Sequence, residues 1–366
     1  EGTVYAACKL QGNLYLGTNQ GLFIKPWAAV NDFSSNDIFE IIEGSQGQVW
    51  DLKVFDGQLI CGQNEGSFLV DGKKLEKISN ITGGFAIIEH PSDKNILLQG
   101  TYTGIVVLAK NEMNNWTFSH RVEGFIEPVK RLQIDEEGFL WGANPIKGLH
   151  RFTLSKDLKS FSDIKSFSEA DGLPDNFNVD IIPFDGKLLF NLNNNNYHFN
   201  QESLRFEEYE VFPFEKDGSK ILQFDEDRFV RVFKNRVEFI EGEITKEFNL
   251  TLVSGYERII EIDPEVYLFC LDDGFAILNK DQMDIQVEMY PPAIDLVEAF
   301  GKKGKKIIPD AHSKSVEFAA NENDLRFHFY QPIFNQKPKL HYQLEGYDSQ
   351  WYDSEGRSIK EFTNLP

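Results

Sequence analysis

Seven stretches of the sequence can be laid over one another, and one row of that superposition is charged. It reads Ala6, Asp51, Ala86, Arg131, Asp180, Lys220 and Arg258, with apolar residues flanking it. The row before it carries Tyr5, Trp50, Phe85 and Lys130. Aromatic planes beside fork-like guanidinium donors, ammonium groups and carboxylates are what an oligosaccharide would need, an acidic one especially. Such a site requires Arg131 and Arg258 to stay unpaired enough to accept a carboxylate. In the alternative reading Asp51, Arg131, Asp180, Lys220 and Arg258 neutralise one another as a salt-bridge collar. Amides and hydroxyls crowd the nearby turns: Asn19, Gln20, Asn64, Tyr102, Asn144, Asn193, Asn194, Asn235 and Asp272.

Catalytic signatures are missing: there is no HExxH, GxSxG, GxxxxGK[ST] or GxGxxG. The seven histidines do not cluster at ligand spacing, and His328 and His341 fall in strand-like segments. Among 58 acidic residues no pair is singled out for glycoside hydrolysis. Cys8, Cys61 and Cys270 lie in apolar runs without paired spacing, so they read as core residues and not as a disulfide or zinc set. Binding without a cofactor or metal is the expectation. A net charge of −21 repels phosphate backbones and argues against nucleic acid as a partner. Three N-x-T sequons, at Asn80, Asn115 and Asn249, matter only in a eukaryotic secretory protein.

The elements that must position the charged row come from an internal repeat. Its copies read NLYLGTNQGLFI, QLICGQNEGSFLV, ILLQGTYTGIVVL, FLWGANPIKGLHRF, LLFNLNNNNYHF, FVRVFKNRVEFI and YLFCLDDGFAIL. Their anchors, Gly17, Gly62, Gly100, Gly142, Asn191, Val232 and Cys270, stand 38 to 49 residues apart, the period of a four-stranded propeller blade. Glycines at the anchor and four residues later suit a tight hairpin with positive φ, with Asn standing in where later copies lose them. A further strand precedes each anchor, and others such as KLEKIS, LRFEEYE and DIQVEMY follow. The pattern predicts an all-β chain whose residues 1–290 form a seven-bladed β-propeller, with a β-helix or open solenoid as the structural alternative. The charged row then begins the strands lining the central channel, close to one face. Trp27 and Trp116 fall in outer or linking segments and read as packing residues.

After Tyr290-Pro291-Pro292 the repeat stops. Residues 291–366 read as strands VEFAA, DLRFHFY and KLHYQLEGY of a truncated Ig-like β-sandwich, with the basic GKKGKK run (Lys302, Lys303, Lys305, Lys306) as a solvated turn. Alternation should bury Phe329, Tyr342 and Leu344. No apolar run is long enough to span a membrane. Beginning at Glu1 and stopping at Asn364-Leu365-Pro366, the chain reads as a piece of a longer protein.

Two stretches, DEEGFLWGANPIKGLHRF (Asp135–Phe152) and FSEADGLPDNFNVDIIPFDGKLLF (Phe167–Phe190), resemble the two-component-regulator propeller repeat. The tail NDLRFHFYQPIFNQKPKLHYQLEGYDSQW, followed by FTNLP, resembles the three-tyrosine (Y_Y_Y) domain that succeeds those propellers. Trp141, Tyr342, Tyr347 and Trp351 are the aromatics that match the motifs. The resemblance implies the periplasmic sensor region of a bacterial inner-membrane receptor. The hybrid two-component histidine kinases of gut Bacteroidetes that detect glycan fragments are the best-known examples; a related group carries a helix-turn-helix output. It also implies a homodimer, an oligosaccharide or other small-molecule ligand, and a transmembrane helix outside this sequence. A non-catalytic dimerisation scaffold and a propeller glycan hydrolase or lyase are the alternatives. Family sensors commonly have two propellers, where one is found here.

Overall fold

A computed structural model describes residues 2–30, 38–144, 146, 148–175, 177–193, 195–209, 219–225, 227–242, 244–280, 292–301, 304–309, 317–330, 340–354 and 357–365. The chain divides into two compact units, Glu1–Met283 and Asp284–Pro366.

In the first unit the described residues form seven antiparallel sheets, each a meander of consecutive strands. The innermost strands are Val4–Leu10, Val49–Phe55, Ile87–His90, Arg131–Ile134, Asp180–Phe184, Lys220–Gln223 and Ile259–Asp263. Six sheets have four strands, and the seventh has three among the described residues. The expected strand DIQVEMY lies outside them.

A strand sends successive side chains to opposite faces, so a blade packed on both sides needs apolar residues at successive positions. The second strands meet that demand. Leu14 and Leu16 of blade 1 pack with Leu268 and Cys270 of blade 7, while Tyr15 between them packs with Leu52 and Leu59 of blade 2. Every pair of neighbouring blades shares a buried cluster of this kind, including the seventh with the first. The ring is therefore closed, which leaves no unpaired sheet face. Blades 4 and 5 use much of the phenylalanine: Trp141 stacks on Phe167 at 5.2 Å and tilts against Phe190 at 4.8 Å. Trp116 is buried between blades 2 and 3, and Cys61 and Cys270 are buried thiols.

The DEEGFLW segment explains itself locally. Asp135 accepts from the Phe139 amide at 2.8 Å and from the Trp141 indole N–H at 2.6 Å, tying the turn to the strand it launches. The repeat glycines correct one expectation. Gly17, Gly62, Gly100 and Gly142 are not in the positive-φ region. A Cβ at Gly62 would lie 2.2 Å from the Gly84 carbonyl oxygen, and one at Gly100 would lie 2.2 Å from that of Val129. Close approach of the next blade's linker, and not turn geometry, selects glycine there. The later glycines do have positive φ, as at Gly104 (102°), and Asn193 takes the same region at 50°.

The second unit holds a four-stranded antiparallel sheet ordered Gly304–Pro309, Ala293–Gly301, Asp324–Tyr330, Ile359–Phe362. A two-stranded pair, His341–Tyr342 with Tyr352–Asp353, accompanies it. One face of the large sheet buries Val297, Ala299, Ile308, Leu325 and Phe362. On the other, Glu298 pairs with Arg326 at 3.1 Å and with Lys305. Three expectations need correction. Residues 317–319 of VEFAA are not strand, and KLHYQLEGY is strand only at His341–Tyr342 before it turns. Lys305 and Lys306 belong to a strand and not to a turn, while Lys302 and Lys303 lie outside the described residues. Phe329, Tyr342 and Leu344 are half-buried, lining a largely apolar cavity of about 290 Å³ with Phe327, Phe362 and Trp351. Their register is as expected, since His341, Gln343 and Glu345 between them are exposed.

Candidate functional site

The charged row assembles in three dimensions. Ala6 lies opposite Gly17, Asp51 opposite Gly62, Asp180 opposite Asn191 and Lys220 opposite Val232. Gly100 and Cys270 donate their amides to the carbonyls of Ala86 and Arg258. Arg131 is one step out, facing Ala143 beside the anchor Gly142. Equivalent positions on innermost strands converge on the axis of the ring. There Trp50, Asp51, Lys130, Arg131, Asp180, Lys220, Tyr256, Glu257 and Arg258 help line a cavity of about 170 Å³. A neighbouring pocket of about 260 Å³ shares Lys130, Arg131, Asp180, Lys220 and Glu257 and adds Asn178, Asn191, Asn193 and Ser254.

Most of the charges are paired. Arg131 Nε donates to Asp180 Oδ1 at 2.6 Å, and its Nη2 to the Gly255 carbonyl at 2.5 Å. Lys220 Nζ donates to Asp180 Oδ2, and to Glu257 Oε2 at 3.1 Å. Arg258 Nη1 donates to Asp51 Oδ1 at 2.8 Å, while Asp51 Oδ2 accepts from the Ile87 amide at 3.1 Å. Lys53 Nζ donates to the Ile87 carbonyl at 2.7 Å. The expectation of unpaired arginines is thus corrected: both are already engaged by carboxylates. The reason is geometric, because seven strands converging on one axis bring alternating signs within reach across and between blades.

Burial alone would raise the Asp180 carboxyl, but the cations Arg131 and Lys220 outweigh it and hold the group below the ordinary carboxylate range. Asp51 follows the same balance, with Arg258 and Lys53 lowering it. Lys130 differs. Burial and the adjacent Arg131 bring its ammonium down to about 7, against the opposing pull of Asp180 and Glu257. Its Nζ lies 3.5 Å from the ring centroid of Tyr256.

Tyr256 belongs to an aromatic wall. It stacks on Trp50 at 5.2 Å and meets Tyr5 edge-on at 5.2 Å; Trp50 touches Phe85, and Phe85 touches Tyr102. Asn64 Oδ1 fixes the wall by accepting from the Trp50 indole at 2.8 Å and from the Tyr102 hydroxyl at 2.9 Å. Other turn amides are committed locally: Asn144 to the Pro128 carbonyl and Asn193 to Asp175. Asn194 lies outside the described residues.

Sequence reasoning therefore brought together Tyr5, Trp50, Asp51, Lys130, Arg131, Asp180, Lys220 and Arg258, and missed Tyr256 and Glu257. Extending the preceding row to the seventh copy was the available signal for Glu257, which immediately precedes Arg258 as Lys130 precedes Arg131, whereas Tyr256 lies one residue outside that row. Trp141 is buried between blades 4 and 5, away from the channel lining. Tyr342, Tyr347 and Trp351 belong to the second unit, where Tyr347 and Trp351 are exposed at 51% and 65%. Among the described residues no group of three or more His, Cys, Asp or Glu side chains is placed to hold a metal ion.

The chain is thus a seven-bladed propeller with a charged, aromatic-walled channel mouth, joined in sequence to a β-sandwich unit. No family model and no curated protein matches the sequence. Solved structures do share the fold. The extracellular domain of the protein described as the hybrid two-component system BT3049 of B. thetaiotaomicron superposes over 100% of this chain (TM-score 0.58, 15% identity). That of BT4673 from the same organism, described once as a one-component and once as a hybrid two-component system, does so with TM-score 0.53 and 15% identity. PorZ, a surface component of the type-IX secretion system of Porphyromonas gingivalis, matches 90% of the chain (TM-score 0.52, 14% identity). The chain spans 52% and 53% of the two B. thetaiotaomicron structures and 44% of PorZ, so it corresponds to about half of each. No helix among the described residues is long and apolar enough to cross a membrane.

Proposed function

We propose that this chain is part of the extracytoplasmic, periplasmic sensor of a bacterial signal-transduction receptor, and that its channel mouth takes an anionic, glycan-derived ligand. The observation that carries the reading is a charge imbalance. Four cations, Lys53, Arg131, Lys220 and Arg258, with Lys130 partly protonated as a fifth, face three carboxylates, Asp51, Asp180 and Glu257, in the lining of a cavity within a chain of net charge −21. A local positive excess in an acidic protein focuses anions at that point. The wall of Trp50, Tyr256 and Tyr5 supplies apolar surface of the kind sugar rings use. The fold shared with extracellular domains of two-component proteins supports the sensor role. On this reading the sandwich relays the signal toward a membrane helix, a pair of chains acts together, and the output is a histidine kinase or a helix-turn-helix domain.

Binding is favoured over catalysis by the carboxyl groups themselves. A glycosidase needs one acid held protonated, whereas Asp51 and Asp180 are both held ionised. The pairing of Arg131 and Arg258 supports a second reading, a collar that stiffens a scaffold. Calorimetry with galacturonate, and with galactose as its neutral counterpart, separates the two. Galacturonate binding that weakens roughly ten- to a hundred-fold in Lys130→Met matches loss of a charge-assisted contact of ~1.5–3 kcal/mol. No heat from a panel of acidic glycan fragments, with Arg131→Ala melting lower, leaves the scaffold reading standing alone.

A further inference from the structure

Lys130 is the exception among the mouth's cations. Arg131, Lys220 and Arg258 each hold a carboxylate, and Lys53 holds a carbonyl. Lys130 lines both pockets of the mouth yet makes no side-chain hydrogen bond or ion pair among the described residues. The carboxylates near it are already occupied. Asp180 receives Arg131 on one oxygen and Lys220 on the other, and Glu257 receives the Gly255 amide at 2.8 Å and Lys220 at 3.1 Å. What remains beside its Nζ is the face of Tyr256, the Arg131 guanidinium and open cavity.

We propose that Lys130 is a nucleophilic amine that captures the free aldehyde of a reducing sugar acid as a reversible imine at the channel mouth, an inference that rests on the mouth being the ligand site. A lysine withdrawn from water beside a second fixed cation is the arrangement that leaves its nitrogen lone pair available. Burial, Arg131 and Lys220 favour the free amine, and Asp180 and Glu257 the ammonium; the balance lies at about 7. A substantial fraction of free amine is therefore present at neutral pH, where an exposed lysine, near 10.4, has almost none. The step closes without an oxidant or reductant. The Nζ lone pair attacks the aldehyde carbon, the carbonyl π pair moves to oxygen, and that oxygen takes up a proton as nitrogen loses one. The nitrogen lone pair then forms the C=N bond as the carbinolamine's C–O bond breaks, and the departing hydroxyl leaves as water with the second proton that nitrogen gives up. A sugar acid brings its own carboxylate to the surplus positive charge of the same cavity.

The test uses galacturonate and its methyl glycoside, which has no free aldehyde, each with cyanoborohydride at pH 7.5 and peptide mapping by mass. Galacturonate is expected to modify Lys130 roughly ten times faster, or more, than the exposed Lys156 and Lys187. The methyl glycoside should give no adduct. The rate at Lys130 should level off above about pH 7, while the rates at Lys156 and Lys187 keep climbing. Modification of Lys130 no faster than that of Lys156 overturns the proposal, and needs no variant to fold. Calorimetry with the methyl glycoside reads the ligand site separately. Heat without preferential trapping at Lys130 removes the imine and keeps the site; neither heat nor trapping removes both.

Discussion

Arg258 of the seventh blade reaches past the first blade to bond Asp51 of the second, at 2.8 Å. Ala6 holds the equivalent position on the blade between them and is fully buried. Removing the guanidinium leaves the Asp51 carboxylate, 2% exposed, with no arginine opposite. Arg258→Ala is expected to cost about 3 kcal/mol in urea unfolding, because an uncompensated buried charge is costly. A double substitution, Arg258→Ala with Asp51→Asn, should recover part of that loss. A single variant as stable as the wild type would show that solvent or Lys53 already carries Asp51.

Acid should unfold the propeller unit early. Asp51 and Asp180 sit below the ordinary carboxylate range in the folded chain, so the unfolded chain binds more protons as pH falls. Their stabilisation is complete above the unfolded value of about 4 and is lost as pH drops through and below it. Urea midpoints measured from pH 7 to pH 3 should fall steeply at the acid end. Asp180→Asn should lower the midpoint at pH 7 and flatten the fall; an unchanged acid slope would remove the collar from the account.

The two kinds of glycine should respond differently to a methyl group. At Gly100 the added Cβ meets the Val129 carbonyl oxygen at 2.2 Å, a clash with backbone that nothing nearby can relieve. Gly100→Ala should therefore destabilise by roughly 2–3 kcal/mol or more. At Gly12, with φ 77°, nothing lies within 4 Å, and Gly12→Ala should cost only the ~1–2 kcal/mol of left-handed backbone. Melting temperatures of the two variants side by side make the comparison, and equal losses would refute the packing role of the anchor glycines.

The ring was legible because its signal is repeated. Each second strand buries both faces, so apolar runs such as LYLG, LICG and LLQG recur at a regular period, and the charged row follows from aligning them. Arg131 was harder to place because its spacing to Gly142 is the usual eleven residues while the strand pairing sets it against Ala143. Tyr256 and Glu257 precede a row position whose offset to its anchor is twelve. Ion pairing was legible as the alternative of a salt-bridge collar, which the pairs formed by Asp51, Asp180 and their cations match. Which residue meets which was not legible, because partners such as Arg258 and Asp51 stand 207 residues apart in the chain. The sandwich has no repeat to average over. There the described residues 317–319 of VEFAA do not pair, and KLHYQLEGY turns after two residues, with the Leu344 amide held by Asp348 at 2.7 Å.

The seam between the seventh and first blades has a mechanical consequence. Among the described residues, each of these two sheets draws its strands from its own end of the unit, with no strand exchanged between them. The joint is held by packed side chains, by Thr3 donating to the Asp272 carbonyl and by Lys9 against Asp263. An interlocked strand would make the ring a welded hoop; among the described residues it is a bracelet, with the Arg258–Asp51 tie straddling the joint. On the proposed reading, a guest at the channel mouth that competed for either half of that tie would change how readily the bracelet opens.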